Sequence, residues 1–481
     1  MRLHIKLIVI LIFQILIVMN VLSQALIEPS GGGEFKFEDK ECVPKELRIK
    51  SEILINDNIN QLIKSGLIKP ISQLQKVNAV QFSWPLKQNS NFKYNSYYGI
   101  SNYIDNNSEY PKKVLDYNCG SRSYDLDNGY NHSGTDIFLF PFYWNMVYNE
   151  QVIVIAAAPG IIVGKFDGNQ DKSCGFENNK TDWNALYLRH SDGNVTWYGH
   201  MKKFSLTNKQ IGDSVAEGEF IGYVGSSGFS SGPHLHFEVH DSKGKILDPW
   251  EGPCNKSASL WQNQKPYYEP TINTLLTHSK EMKFNPCPQL DDINAQDTFN
   301  CSTKSIIFAA YFHDQQKGEL ISYKIIRPDG SIFKNWTHSS PDIYLSSYWY
   351  WKFDMPMNPE EGLWIFSATY NSNTVNHDFY YNCNVTSFEE RNGSFKIFPN
   401  PVKNIITIEG LNNIKNWALI DVNGKVVFQS KRTFSENGKS NNIYYQIENN
   451  SIDVSGLPIG YYYMLITNSK NNIEEYKLLK Q

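Results

Sequence analysis

Five of the chain's eleven histidines fall into three short motifs between residues 131 and 240. In "NHSGTDIFLF", Asp136 follows His132 by four positions. "VTWYGHMKK" contains His200. "SSGPHLHFEVH" carries His234 and His236, two apart, before His240. In an extended chain, residues two apart point to the same face, so both imidazoles look into one space. Imidazole and carboxylate are ligands of catalytic zinc, which commonly takes three protein ligands and leaves one position for water. His132, Asp136 and one of the pair His234 and His236 would supply that set. Each motif alone also fits an ordinary loop or half-exposed strand. Three of them in this order, each beside strand-like sequence, are hard to explain as independent surface histidines. His190, His240, His278, His313, His338 and His377 have no such partners and read as structural or solvated.

The elements that must position these groups are short strands. The chain has 481 residues, room for about three domains. Hydrophobic residues make up 41% and aromatic residues 14%, so cores can form. From "FSWPL" at 82–86 to "DPWEGPC" at 248–254 the texture is short apolar runs broken by Gly, Asn and Asp. Asp192-Gly193 within "YLRHSDGNVTWYGH" is a hairpin signal that brings His200 beside a neighbouring strand. Further short strands fill 303–383, with "RPDG" at 327–330 as a hairpin turn, a spacing that suits a small β-sandwich. No sustained helical periodicity occurs after residue 80, and the chain reads as mostly β. The aromatic run "SSYWYWKFD" at 346–354 reads as sandwich core in preference to a glycan-binding face.

The net charge of −4, with no basic block, argues against a nucleic-acid partner. Arg2 and Lys6 precede the apolar run Leu7 to Met19, and small or polar residues around Ser23 to Ala25 offer a cleavage site, as in an export signal. No other segment reads as a membrane span. None of the seven cysteines forms a C-x-x-C pair, which leaves zinc-ribbon and thioredoxin readings without support. Export favours disulfides, with Cys287–Cys301 and Cys119–Cys174 as expected pairs and the odd count leaving at least one thiol over.

"HSGTD", "WYGHM" and "EGEFIGYVGSSGFSSGPHLHFEV" together resemble the signature of lysostaphin-type (LytM-like) zinc metallopeptidases, over roughly residues 125–250. The resemblance implies one Zn2+ per chain held by His132, Asp136 and His236, with His200 and His234 as catalytic non-ligands. It departs from the commoner pattern at Asn131, where an Arg often stands. It implies a zinc metalloendopeptidase acting on peptidoglycan cross-links or stem peptides, or on glycine-rich proteins. "FPNPVKN" at 398–404, "LIDVNGKVV" at 419–427 and "DVSGLPIGYYYMLI" at 453–466 resemble the type IX secretion sorting domain. That implies handling by the type IX secretion machinery and a secreted or outer-surface location on a Gram-negative cell.

The expected organisation is therefore a signal peptide at 1–24, a region of uncertain fold at 25–90 and an antiparallel β-sheet zinc peptidase domain at 91–254. A linker at 255–302, a small β-sandwich at 303–385, a linker at 386–394 and a C-terminal β-sandwich sorting module at 395–481 complete it. Loops at 142–150 and 166–184 are expected to wall the cleft. Two other classes are a non-enzymatic wall-binding or regulatory protein, against which the five filled positions argue, and a surface adhesin in which the β domains do the work.

Overall fold

The computed structural model describes residues 26–36, 41–74, 79–175, 182–383, 395–409, 414–421, 426–430, 444–445, 451–468 and 473–480. The expected signal peptide and the 386–394 linker lie outside the described residues. The chain divides into two units, 1–383 and 384–481.

In the first unit, strand β1 (Gly31–Glu34) and helix α1 (Lys45–Lys64) precede the short strands β2 (Leu86–Gln88), β3 (Tyr98–Asn102) and β4 (Thr135–Leu139). Helix α2 (Tyr143–Tyr148), β5 (Val152–Ile155), β6 (Gly160–Phe166), β7 (Ala185–Arg189) and β8 (Val195–Gly199) follow. Then come β9 (Ser214–Val215), β10 (Phe220–Tyr223), β11 (His234–His240) and β12 (Ile246–Leu247). The main sheet runs in the order β3-β4-β11-β8-β7-β6-β9, with β12 also on β11, and every pairing in it is antiparallel. The Asp192-Gly193 turn closes the β7–β8 hairpin, as its dipeptide signals, with Gly193 at φ +90°.

The region of uncertain fold at 25–90 holds α1. Leu47, Ile55 and Leu62 of this helix are buried against Val163, Ala185, Tyr187 and Trp197 of the main sheet. Ser51 and Tyr187 hydroxyls meet at 2.8 Å, and Asn58 Nδ2 donates to the Val163 carbonyl. One face of the sheet is thus roofed by an N-terminal helix.

The sandwich pairs two sheets built from β13 (Thr271–His278), β14 (Thr298–Asn300), β15 (Ser305–Gln315), β16 (Leu320–Ile326), β17 (Ile332–Ser339), β18 (Tyr344–Asp354), β19 (Gly362–Tyr370) and β20 (Asn373–Asn382). Their orders are β1-β18-β15-β13 and β14-β20-β19-β16-β17. The residues 255–302 read as a joint therefore contribute β13 and β14, and β1 completes one edge. Trp349, Trp351 and Phe353 point into the sandwich core, which is the structural reading of "SSYWYWKFD". The sandwich is welded to the main sheet by a buried Arg122–Asp314 ion pair at 2.7 Å and by Asn273, whose backbone carbonyl accepts from Asn95 and Ser96. The disulfides join Cys119–Cys254, Cys174–Cys287 and Cys301–Cys383, so neither expected pair forms. Cysteines far apart in sequence are brought together by sheet packing. Cys42 remains the free thiol.

The second unit contains a three-stranded sheet (Lys396–Phe398, Ile405–Glu409, Ser451–Asp453) and a five-stranded one that ends in the paired strands Gly460–Asn468 and Ile473–Lys480. Trp417, Leu419, Met464 and Ile466 are among its core residues.

Three sandwich histidines are held neutral. Burial pushes His278 and His338 down to about 4, and burial with the nearby Arg122 and Lys265 charges pushes His313 down to about 3. The unfolded chain protonates them below pH 6.5 or so, while the folded chain does not. Their contribution is complete above that pH and is lost as pH falls toward 4, at about 1.4 kcal/mol per pH unit for each histidine. Thermal unfolding of chelator-treated protein is expected to shift to lower temperature between pH 7 and pH 5. His313→Gln, which keeps a donor toward Asn273, should make that dependence shallower; an unaltered slope would contradict the assignment.

Candidate metal centre

The site is assembled by strand register. In the β4–β11 pair, His236 lies directly opposite Asp136, and in the β11–β8 pair it lies opposite Gly199. Side chains of directly opposed residues share a face, so Asp136 and His236 meet by construction. His234 shares that face two residues earlier. His200 follows Gly199 at the end of β8, with φ +58° turning the chain. His132 precedes β4 and stacks on Tyr124, their rings 4.7 Å apart. Gly134 must be small, because a Cβ there would lie 2.6 Å from the His236 ring.

The hydrogen bonds fix each imidazole's tautomer. His132 Nδ1 donates to the Tyr103 carbonyl at 2.8 Å, which leaves Nε2 unprotonated in the neutral ring, 2.9 Å from Asp136 Oδ2. His236 Nε2 donates to Glu238 Oε1 at 2.7 Å, which leaves Nδ1 facing Asp136 Oδ1 at 2.7 Å. Two imidazole lone pairs thus face the two oxygens of one buried carboxylate. Such acceptor–acceptor contacts need positive charge between them. Without a cation the need is met by protons: burial pushes His132 down, but the Asp136 carboxylate outweighs it and carries the ring up to about 10. Asp136 itself, despite its burial, is held well below the usual carboxylate range by His132, His234 and His236. The donor set of two imidazoles and a carboxylate fits a divalent metal.

His200 and His234 present a second pair of nitrogens. His200 Nδ1 donates to the Ser227 carbonyl at 2.6 Å, and His234 Nδ1 to the Gly232 carbonyl at 2.8 Å. The Nε2 of His200 has no hydrogen-bond partner, and that of His234 lies 3.6 Å from Asp136 Oδ1. The rings lie 4.4 Å apart. Burial pulls His200 down, whereas Asp136 and the Cys42 thiol outweigh burial at His234 and raise it. The structure therefore brings together all five residues singled out by sequence: His132, Asp136, His200, His234 and His236. Asn131 donates through Nδ2 to the Asn107 carbonyl.

Three residues of the site were not singled out. Glu238 continues the two-residue alternation of His234 and His236, a signal present in "HLHFEVH". Fully buried, it accepts from His236, His240 (2.6 Å), Ser133 (2.7 Å) and both terminal nitrogens of Arg48 (2.9 and 2.8 Å). Trp183, from the segment expected to wall the cleft, packs against the His200 ring at 5.2 Å. The other expected wall, 142–150, forms α2; residues 176–181 lie outside the described ones. Cys42 is the third. A metal site without thiolates was expected, yet Cys42 Sγ lies 3.7 Å from Asp136 Oδ2 and 3.8 Å from His234 Nε2.

Residues 131–249 match Peptidase family M23, and residues 396–481 match a secretion system C-terminal sorting domain. The chain is 49% identical over 56 residues to the DD-carboxypeptidase/endopeptidase Mpg of Neisseria meningitidis, covering 12% of each chain. It is 36% identical over 112 residues to the glycyl-glycine endopeptidase ALE-1 of Staphylococcus capitis, covering 23% of this chain and 25% of that one. The lysostaphin catalytic domain from Staphylococcus simulans aligns at 29% identity with a TM-score of 0.18, over 26% of this chain and 83% of that one. The chain thus spans a quarter or less of the length of these two curated relatives.

Glu238 fixes the His236 tautomer, and carboxylates in that role typically change metal affinity 10–100-fold when altered. Glu238→Gln is expected to weaken Zn2+ binding by about that factor in chelator competition, with the fold checked by circular dichroism. Unchanged affinity in a folded variant would show that the tautomer is set otherwise.

Proposed function

We propose that this chain, which carries an M23 metallopeptidase domain and a type IX sorting domain, is a secreted zinc endopeptidase that cleaves peptide bonds in peptidoglycan cross-links or stem peptides. The observation that supports it is the convergence of His132 Nε2 and His236 Nδ1 on Asp136, with ring nitrogens of His200 and His234 gathered in the same buried space. His132, Asp136 and His236 hold one zinc. When bound, the metal supplies the Lewis acidity that activates water and polarises a scissile carbonyl. His200 and His234 accept the proton from the attacking water at Nε2 and return it to the leaving amine. Their Nδ1–H bonds to backbone carbonyls keep both rings oriented for that exchange. The likeness to a glycyl-glycine endopeptidase favours a second substrate reading, glycine-rich peptide cross-links. The sorting domain supports passage through the type IX machinery to the outer surface of a Gram-negative cell.

His236→Ala is expected to lose both zinc and activity. His234→Ala is expected to keep zinc and lose activity about 100-fold or more. Metal analysis of the purified proteins, with mass spectrometry of muropeptides released from peptidoglycan, reads both; equal zinc in wild type and His236→Ala would sink the ligand assignment. Truncation at residue 390 is expected to leave a folded protein in the periplasm, and its normal appearance outside the cell would show that the last segment is no address.

A further inference from the structure

The candidate centre is closed. His132, Asp136, His200, His234 and His236 are all buried, the most exposed of them being His234 at 8%. A peptidase must admit a peptide to these groups, so something in this chain covers them. Part of that cover is the segment that leads into α1, whose Cys42 is buried with its sulfur close to the site's ligand atoms.

The sulfur occupies a particular place. Cys42 Sγ lies within 4.8 Å of the inward-facing ligand atoms of His132, Asp136 and His236, and it forms an equally compact group with those of His200 and His234. One atom therefore stands where the open metal position and the two catalytic imidazoles meet, which is the space an attacking water and a scissile carbonyl need. A second observation points to the same place. His200 Nε2, fully buried and without a hydrogen-bond partner, belongs to the same group of atoms within 4.8 Å of one another as the sulfur. All six other cysteines are in disulfides, so this thiol alone is available as a ligand.

The segment is tied down on both sides of Cys42. Before it, β1 pairs with β18, and Phe35 N donates to the Ser346 carbonyl at 2.9 Å. After it, Arg48 in the first turns of α1 grips Glu238, the carboxylate behind His236. Beside it, the Tyr124 hydroxyl donates to Sγ at 3.0 Å and the Cys42 amide donates to the Tyr130 hydroxyl. A structural cysteine in an apolar core would need none of these polar neighbours.

We propose that Cys42 is a fourth protein ligand of the metal, and that the segment from Glu41 through α1 is an inhibitory strap that holds the peptidase latent. On metal binding the thiol gives up its proton to solvent, and the thiolate fills the position otherwise left for water. Opening requires the strap to leave, by proteolysis or displacement, which frees that position and the cleft together. The inference rests on the metallopeptidase reading above.

Zinc-edge X-ray absorption on the full, uncleaved chain tests the ligand without any variant. One sulfur at about 2.3 Å beside nitrogen and oxygen neighbours is expected; a shell of nitrogen and oxygen alone would overturn the proposal. In the Co2+-loaded chain, a thiolate-to-cobalt charge-transfer band is expected in the near ultraviolet and should vanish in Cys42→Ala at equal metal content. With the strap cut away by limited proteolysis, the zinc-loaded protein should hydrolyse dye-labelled peptidoglycan at least tenfold faster than the uncleaved chain. Equal rates, with metal bound in both, would remove the inhibitory role. Failure of both proteins to bind metal would instead strike the metallopeptidase reading on which the proposal stands.

Discussion

The antiparallel register of β4 on β11 places Asp136 opposite His236, and the chemistry of the site depends on that pairing. Because side chains alternate along a strand, a slip of one residue would send His234, His236 and Glu238 to the opposite face together. The register is held by the surrounding sheet, where Leu235, Phe237 and Val239 fill the core on the other side of β11. Packing of the apolar alternate residues thus specifies where the polar ones converge.

From Asp136 the charges run outward in an ordered chain. His236 lies between Asp136 and Glu238, and Glu238 lies between His236 and Arg48. Burying Glu238 alone would be costly, and it is tolerated because every donor around it is directed at its two oxygens. The Arg48 end of this chain belongs to α1. The helix that roofs the sheet is therefore also part of the electrostatic balance of the site, which links the N-terminal segment to the state of the candidate ligands.

Much of this was legible in sequence because it is local. The period of two in "HLHFEVH" puts His234 and His236 on one face, and Asp-Gly marks the hairpin that delivers His200. What was not legible depends on contacts across the chain. Helix α1 was obscured because Ile49 and Ile53 are exposed, at 46% and 57%, which blurs its apolar stripe. Strand β13 lies just after Pro270 in a stretch rich in proline, and Pro before a strand's first residue does not prevent pairing. The disulfides close separations of 135, 113 and 82 residues, so neighbouring cysteines were the wrong partners to expect. Cys42 lies 94 residues before Asp136 in the chain; only the docking of α1 reveals what the odd cysteine faces.

The central claim is that the buried Asp136 carboxylate, faced by His132 Nε2 and His236 Nδ1, is the core of a zinc site. Crystals of the zinc-loaded chain measured above and below the zinc absorption edge test it most directly. The account predicts one anomalous difference peak per chain, about 2.0–2.2 Å from each of those three side chains. A peak elsewhere, or none there in crystals whose fluorescence shows bound zinc, would contradict it.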